Sequence, residues 1–224
     1  MGAAIGEMLP LAIGIAISPV PIIAIILMLI TPKARSNGLA FLGGWTLGLA
    51  VVGTIVLIVA NTAGIATSSG PSRTVSLIKV VLGLLLLFAG WRQLKKRPKP
   101  GGTAPLPKWM RALGSFTPGR SLAIGALLSG VNPKNLILNA TAAAGIAQTG
   151  LSGAQQAVVL LVLVVVGSLG IIAPVGVYFA MGDKAAHVLD EWKIWLAANN
   201  ATVMTVLFLI FGVVLIGKGI GGLS

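Results

Sequence analysis

Six apolar stretches, separated by short polar segments, divide the chain. They run from about Ala4 to Ile30, Gly38 to Ala60, Val75 to Leu94, Ser121 to Gln148, Gln156 to Met181 and Asn200 to Ile220. Each is near the roughly 20 residues that a helix needs to cross a bilayer. Two are interrupted by polar residues and proline. The fourth contains Ser129-Gly130-Val131-Asn132-Pro133-Lys134-Asn135, and the first contains Ser18-Pro19-Val20-Pro21. The pattern predicts an all-α integral membrane protein of six transmembrane helices, with helices one and four broken at proline.

Composition agrees with that pattern. Of the 224 residues, 56% are hydrophobic and only 9% charged, which lies outside the soluble globular class. The span count leaves no room for an extramembrane domain, so function is expected in or along the membrane. The apolar run at the N-terminus follows Glu7 and no basic segment, so it reads as a first spanning helix rather than a signal peptide.

A net charge of +12 would point to nucleic acid in a soluble protein. Here eight of the sixteen Lys and Arg residues fall between Arg92 and Arg120. That clustering reads as a topology signal, and no nucleic-acid partner is expected. Lys33 and Arg35 after the first span, and Lys184 and Lys193 after the fifth, lie on the same side by alternation. The positive-inside rule makes these loops cytoplasmic and both termini outward, N-out/C-out.

Three features recur in order in the two halves. Pro19 matches Pro133, Gly38 matches Gly153, and Gly83-x6-Gly90 reappears as Gly212-x6-Gly219. Three spans per copy force the second copy to enter upside down, an arrangement that recurs in secondary transporters. The expected organisation is a three-helix repeat over 1–94, a basic cytoplasmic loop over 95–120 and an inverted three-helix repeat over 121–224.

The candidate chemistry lies at the breaks. Asn132-Pro133 and Ser18-Pro19 each read as an N-cap followed by proline at the first helical position. At about 1.5 Å per residue, Lys134 lies about 20 Å into the bilayer when counted from Arg120. A lysine at that depth costs roughly 3 kcal/mol on insertion scales, so it is expected to line a cavity or find a partner. Beside helix N-termini and with no acid nearby, Lys134 predicts an anion site for a phosphate, sulfate or carboxylate group. The substrate-binding set is Lys134, Asn132, Pro133, Asn135, Asn139, Ser18, Pro19 and Pro21. The competing reading is a structural kink in which Lys134 bonds freed backbone carbonyls.

Other candidates read as structural. Lys79 is expected to snorkel to the outer boundary, Pro174 to kink the fifth span, and His187 to sit in a mixed-charge loop over 183–191. No cysteine and a single histidine leave no basis for a metal site or disulfide. No Walker sequence and no nucleophile with its base are evident, so neither an enzyme nor a cofactor is expected.

The proline break, Asn132-Pro133-Lys134 and the third-span run Ile78-Lys79-Val80-Val81-Leu82-Gly83 through Ala89-Gly90-Trp91-Arg92 resemble the LysE exporter superfamily over essentially the whole chain. Amino-acid exporters of that group usually carry Pro-Gly-Pro in the first span. Pro19-Val20-Pro21 and the long basic loop are more similar to its GAP branch of glycopeptidolipid- and sulfolipid-addressing (SfLAP-like) proteins. That resemblance implies a multi-pass inner (plasma) membrane protein exporting an anionic or glycosylated lipid towards the cell envelope, as a secondary transporter or flippase. The alternatives are a LysE-type exporter of amino acids or small metabolites, and an accessory subunit of a lipid-export machine. Expected partners are membrane lipids, the anionic amphiphilic substrate, and either a second copy of the chain or envelope lipid-export machinery docked through the 92–120 loop.

Overall fold

The computed structural model describes residues 1–62, 73–95 and 116–223. The polar connection after Asn61 and most of the basic 95–120 loop, with its expected docking role, lie outside the described residues. Among the described residues there are helices and no strands. They are α1 (Gly2–Ala16), α2 (Pro19–Leu29), α3 (Ala34–Thr62), α4 (Arg73–Lys95), α5 (Pro118–Gly130), α6 (Pro133–Ala147), α7 (Gly153–Gly167), α8 (Leu169–Met181) and α9 (Ala185–Ile220).

Three stretches, Ala34–Thr62, Ser76–Lys95 and Ala185–Ile220, are each long and apolar enough to cross a membrane. Counting each bent pair, α1–α2 and α7–α8, as one span gives up to five among the described residues. The chain is thus a multi-pass membrane protein. The stretch expected as a fourth span is divided into α5 and α6, of 13 and 15 residues. Each alone is shorter than the roughly 20 residues a span requires.

Proline explains the first break. Pro19 and Pro21 lack the N–H that would continue the ladder of α1, so the chain restarts at Ser18 and bends by 54°. The second break follows the same logic: α5 ends at Gly130, and Asn132 caps a new helix that begins with Pro133.

Two elements depart from expectation. The fifth stretch breaks at Ser168, with a 56° bend, while Pro174 sits inside α8. Ser168 donates to the Val164 carbonyl at 2.7 Å, turning back on its own helix, and Gly170 lies against the Ala16 backbone. The mixed-charge segment expected as a loop is mostly helical. Only Gly182–Lys184 forms a 3₁₀ turn, and α9 begins at Ala185. His187 faces Glu191 at 3.3 Å, and Lys193 pairs with Asp190, so charges spaced three and four apart support a helix.

Small residues set the packing, as expected where lipid removes the hydrophobic drive for association between helices. Gly44 of α3 lies so close to α5 that a Cβ would overlap the Leu122 carbonyl. On the other side of the chain's centre, α4 and α9 run antiparallel. A Cβ on Gly83 would stand 2.7 Å from the Gly212 carbonyl oxygen, and one on Gly212 would stand 3.0 Å from the Gly83 carbonyl oxygen. The contacts on either side are reciprocal. Gly90 faces the Thr205 carbonyl and Leu209 nitrogen, while Gly219 faces the Ser76 carbonyl and Val80 nitrogen.

Candidate functional site

The two proline breaks meet in the interior. Ser18 precedes α2, and Asn135 lies in the first turn of α6. Their side chains are fully or almost fully buried, and the Ser18 Oγ approaches the Asn135 Oδ1 at 3.1 Å. The same Ser18 hydroxyl lies 2.8 Å from the Ile15 carbonyl at the end of α1, and the Asn135 amide donates to the Leu128 carbonyl of α5 at 3.0 Å. Four half-helix ends are thereby tied together by two side chains.

The caps differ. Asn132 accepts from the Lys134 backbone N–H at 3.1 Å, the expected N-cap bond. Ser18 occupies the cap position without a side-chain capping bond. The reason lies in the sequence and the packing: proline at the third helical position removes one of the two N–H groups such a cap serves, and the Ser18 hydroxyl is turned to Ile15 and Asn135 instead. Pro19, Pro21 and Ser18 are nevertheless all buried at the break.

Lys134 is 3% exposed. Its Nζ donates to the Gly14 carbonyl and, at 3.2 Å, to the Ile17 carbonyl. Both acceptors belong to the C-terminal end of α1, where unpaired carbonyls carry the negative end of the helix dipole. Among the described residues these carbonyls, and no carboxylate, bond Lys134, which is the bonding the kink reading expected. Asn139, one turn beyond Asn135, donates to the Leu49 carbonyl of α3 at 3.0 Å, while its buried Oδ1 has no partner among the described residues. Asn132, Pro133, Lys134, Asn135, Ser18, Pro19 and Pro21 therefore form one cluster, with Asn139 extending it towards α3.

What this arrangement can do chemically follows from its sign. A buried lysine whose partners among the described residues are neutral carbonyls can exchange them for an anionic oxygen. The Trp45 indole, bonded to the Gly167 carbonyl at 3.3 Å, fixes α3 against the α7–α8 break on the adjoining side.

Three cavities lie away from Lys134. One, a narrow cleft of about 10 Å³, opens where α1, α4, α6 and α9 converge and is lined by Glu7, Lys79, Thr141, Thr149 and Lys218. A second, about 200 Å³ and almost wholly apolar, runs between α3, α4 and α6. The third, about 340 Å³, is bordered by Ile22, Pro174, Trp192 and Trp195. Glu7 and Lys218 form an ion pair of 3.0 Å across the first. This grouping joins residues from the two ends of the chain, which linear spacing does not reveal.

A family model described as Sap, sulfolipid-1-addressing protein, matches residues 8–221. Comparison with the curated proteins and with the solved structures finds no match.

Proposed function

The chain belongs to the sulfolipid-1-addressing protein family, and from that premise we propose that it is a secondary, flippase-like exporter of an anionic or glycosylated lipid. It works in the inner (plasma) membrane and moves the lipid towards the envelope. The observation that carries this reading is Lys134, a buried cation at the junction of broken helices whose main-chain acceptors an anionic headgroup can replace.

The proposed architecture is a six-span inverted repeat over 1–94 and 121–224, joined by the basic 95–120 loop. The reciprocal packing of α4 and α9 supports it. One displacement along the chain carries Gly83 to Gly212, Gly90 to Gly219, Ser76 to Thr205 and Val80 to Leu209. A helix pair whose contacts map onto themselves in this way is what a two-fold axis between duplicated units produces. In transport the two repeats rock about this axis, Lys134 leaves Gly14 and Ile17, and the headgroup takes their place with Asn132, Asn135 and Asn139 as neutral donors.

An amphiphile, unlike a small solute, can enter sideways. The groove between α3, α4 and α6 includes Val59 and Ile78, both more than half exposed on the lipid-facing surface, and this favours the lipid over a small metabolite.

Reconstitution tests the proposal. Purified protein in liposomes is expected to move a fluorescent sulfated or phosphorylated glycolipid between leaflets, and Lys134→Met is expected to stop it. Transport of amino acids without lipid would replace this reading with the metabolite exporter. Movement of neither, together with loss of lipid export in cells on deletion of the 95–120 loop, would replace it with the accessory subunit.

A further inference from the structure

We propose a second lipid site, in which the anionic headgroup of a membrane lipid binds between Lys79, Lys218 and Thr141 while one of its acyl chains lies in the groove between α3, α4 and α6. Nothing in the family match assigns these residues a role, and Lys79 by itself reads as a snorkelling side chain.

The two cavities share a wall. Lys79 and Thr141 line both the polar one at the convergence of α1, α4, α6 and α9 and the apolar one beside it. The first supplies two ammonium groups and the second an apolar trough walled by Val56, Val59, Ile78, Leu82, Ala140 and Ala144. A charged head joined to a hydrocarbon tail is the ligand whose two parts match two such adjoining spaces. The apolar trough holds about 200 Å³, whereas the polar cleft holds only about 10 Å³, so a headgroup is seated by displacing the flexible, partly exposed Lys79 and Lys218 side chains at its mouth.

Two independent features mark the shared wall as a binding surface. Thr141 is 7% exposed, and its hydroxyl has no partner among the described residues. Hydroxyls in membrane helices ordinarily bond back to a carbonyl of their own helix, as Thr46, Ser168 and Thr205 do here. Thr141 is on the same α6 face region as these cavities and leaves its donor unused. Lys79 makes no hydrogen bond and no ion pair among the described residues, whereas Lys218, across the cavity, is held by Glu7. Two lysines against one carboxylate leave the cavity with a net positive charge. An anionic oxygen placed there meets the Lys79 ammonium, which Glu7 attracts through space without a direct ion pair, one hydroxyl donor and a second ammonium that Glu7 releases or shares.

The site rests on the same lipid reading as the proposed function, but it is tested by binding rather than export. The chain has no cysteine, so Val59→Cys carries a single bimane label in the trough. The labelled protein is reconstituted in phosphatidylcholine vesicles containing either brominated-chain phosphatidylglycerol or brominated-chain phosphatidylcholine. Quenching is expected to reach half its maximum at an about fivefold lower mole fraction of the anionic lipid, the effect of one basic side chain near a membrane surface. Lys79→Gln is expected to abolish the preference and Lys79→Arg to keep it. Glu7→Gln, which frees Lys218, is expected to increase it. A label at Val213→Cys, on the exposed face of α9, should show no preference.

Equal quenching by the two lipids at Val59, or a preference unchanged in Lys79→Gln, overturns the site. Displacement of the quencher by inorganic sulfate alone, to the level of neutral lipid, overturns the acyl-chain part and leaves a solute anion site. Where Lys79→Gln yields no folded protein, a preference kept in Lys79→Arg and raised in Glu7→Gln decides for the site, and a preference unchanged in Glu7→Gln decides against it. Binding that persists in a preparation unable to export lipid removes the export reading and keeps this one.

Discussion

Ser18 and Asn135, from opposite halves of the chain, stand 3.1 Å apart with both side chains buried. Their contact joins the start of one half-helix to the first turn of another, so breaking it is felt at both. A double-mutant cycle of Ser18→Ala and Asn135→Ala is expected to give a coupling energy of about 1 kcal/mol in detergent unfolding. Strictly additive effects would show that the two breaks are energetically independent.

On the proposed function Lys134 carries two roles in one side chain. Lys134→Met leaves the Gly14 and Ile17 carbonyls without their charged donor, a loss of about 1.5–3 kcal/mol, and it removes the proposed anion ligand. Both thermal stability and lipid export are therefore expected to fall. Export at the wild-type rate by a folded Lys134→Met protein would falsify the substrate role and leave Lys134 as a helix-end donor alone.

The α4–α9 contact leaves no room for a Cβ. Gly83→Ala forces a methyl to 2.7 Å from the Gly212 carbonyl oxygen, and Gly212→Ala meets the Leu87 side chain at 2.6 Å and the Gly83 carbonyl oxygen at 3.0 Å. Each is expected to cost about 1–3 kcal/mol, the Gly83 change more because a carbonyl gives way less than a side chain. Gly43, on α3, has open space where its Cβ would stand. Gly43→Ala should be neutral or stabilising by up to about 1 kcal/mol through helix propensity. Thermal melts of the three variants separate these expectations.

The orientation is open to direct labelling. In a chain without native cysteine, Ala3→Cys and Leu223→Cys are expected to react with a membrane-impermeant maleimide added outside intact cells. Lys184→Cys should react only after permeabilisation. The reverse pattern overturns the N-out/C-out assignment.

The breaks at Ser18-Pro19 and Asn132-Pro133 were legible because proline cannot continue a helix and a short polar residue precedes it. The break at Ser168 was not, since it arises from a hydroxyl turning back on Val164 and from the approach of Gly170 to Ala16. Pro174, the visible proline of that stretch, remains inside α8. Charge density suggested a loop where α9 begins, because pairing three and four residues apart makes the same charges helix-compatible. The site residues could be named from their types, and freed backbone carbonyls were the acceptors of Lys134 in the competing reading, but which carbonyls could not be named, because every residue has one. The union of Lys79, Thr141, Lys218 and Glu7 needs four helices in place before it exists.

The bond from Lys134 to the end of α1 also bears on how the protein is made. A ribosome-bound chain releases α1 into the membrane long before α6, so the carbonyls of Gly14 and Ile17 are waiting when the lysine arrives. An isolated C-terminal half has no such acceptors, and its lysine enters hydrocarbon at the full insertion cost of about 3 kcal/mol. Insertion of the second half is thus expected to be favoured by the first already in place, and not the reverse.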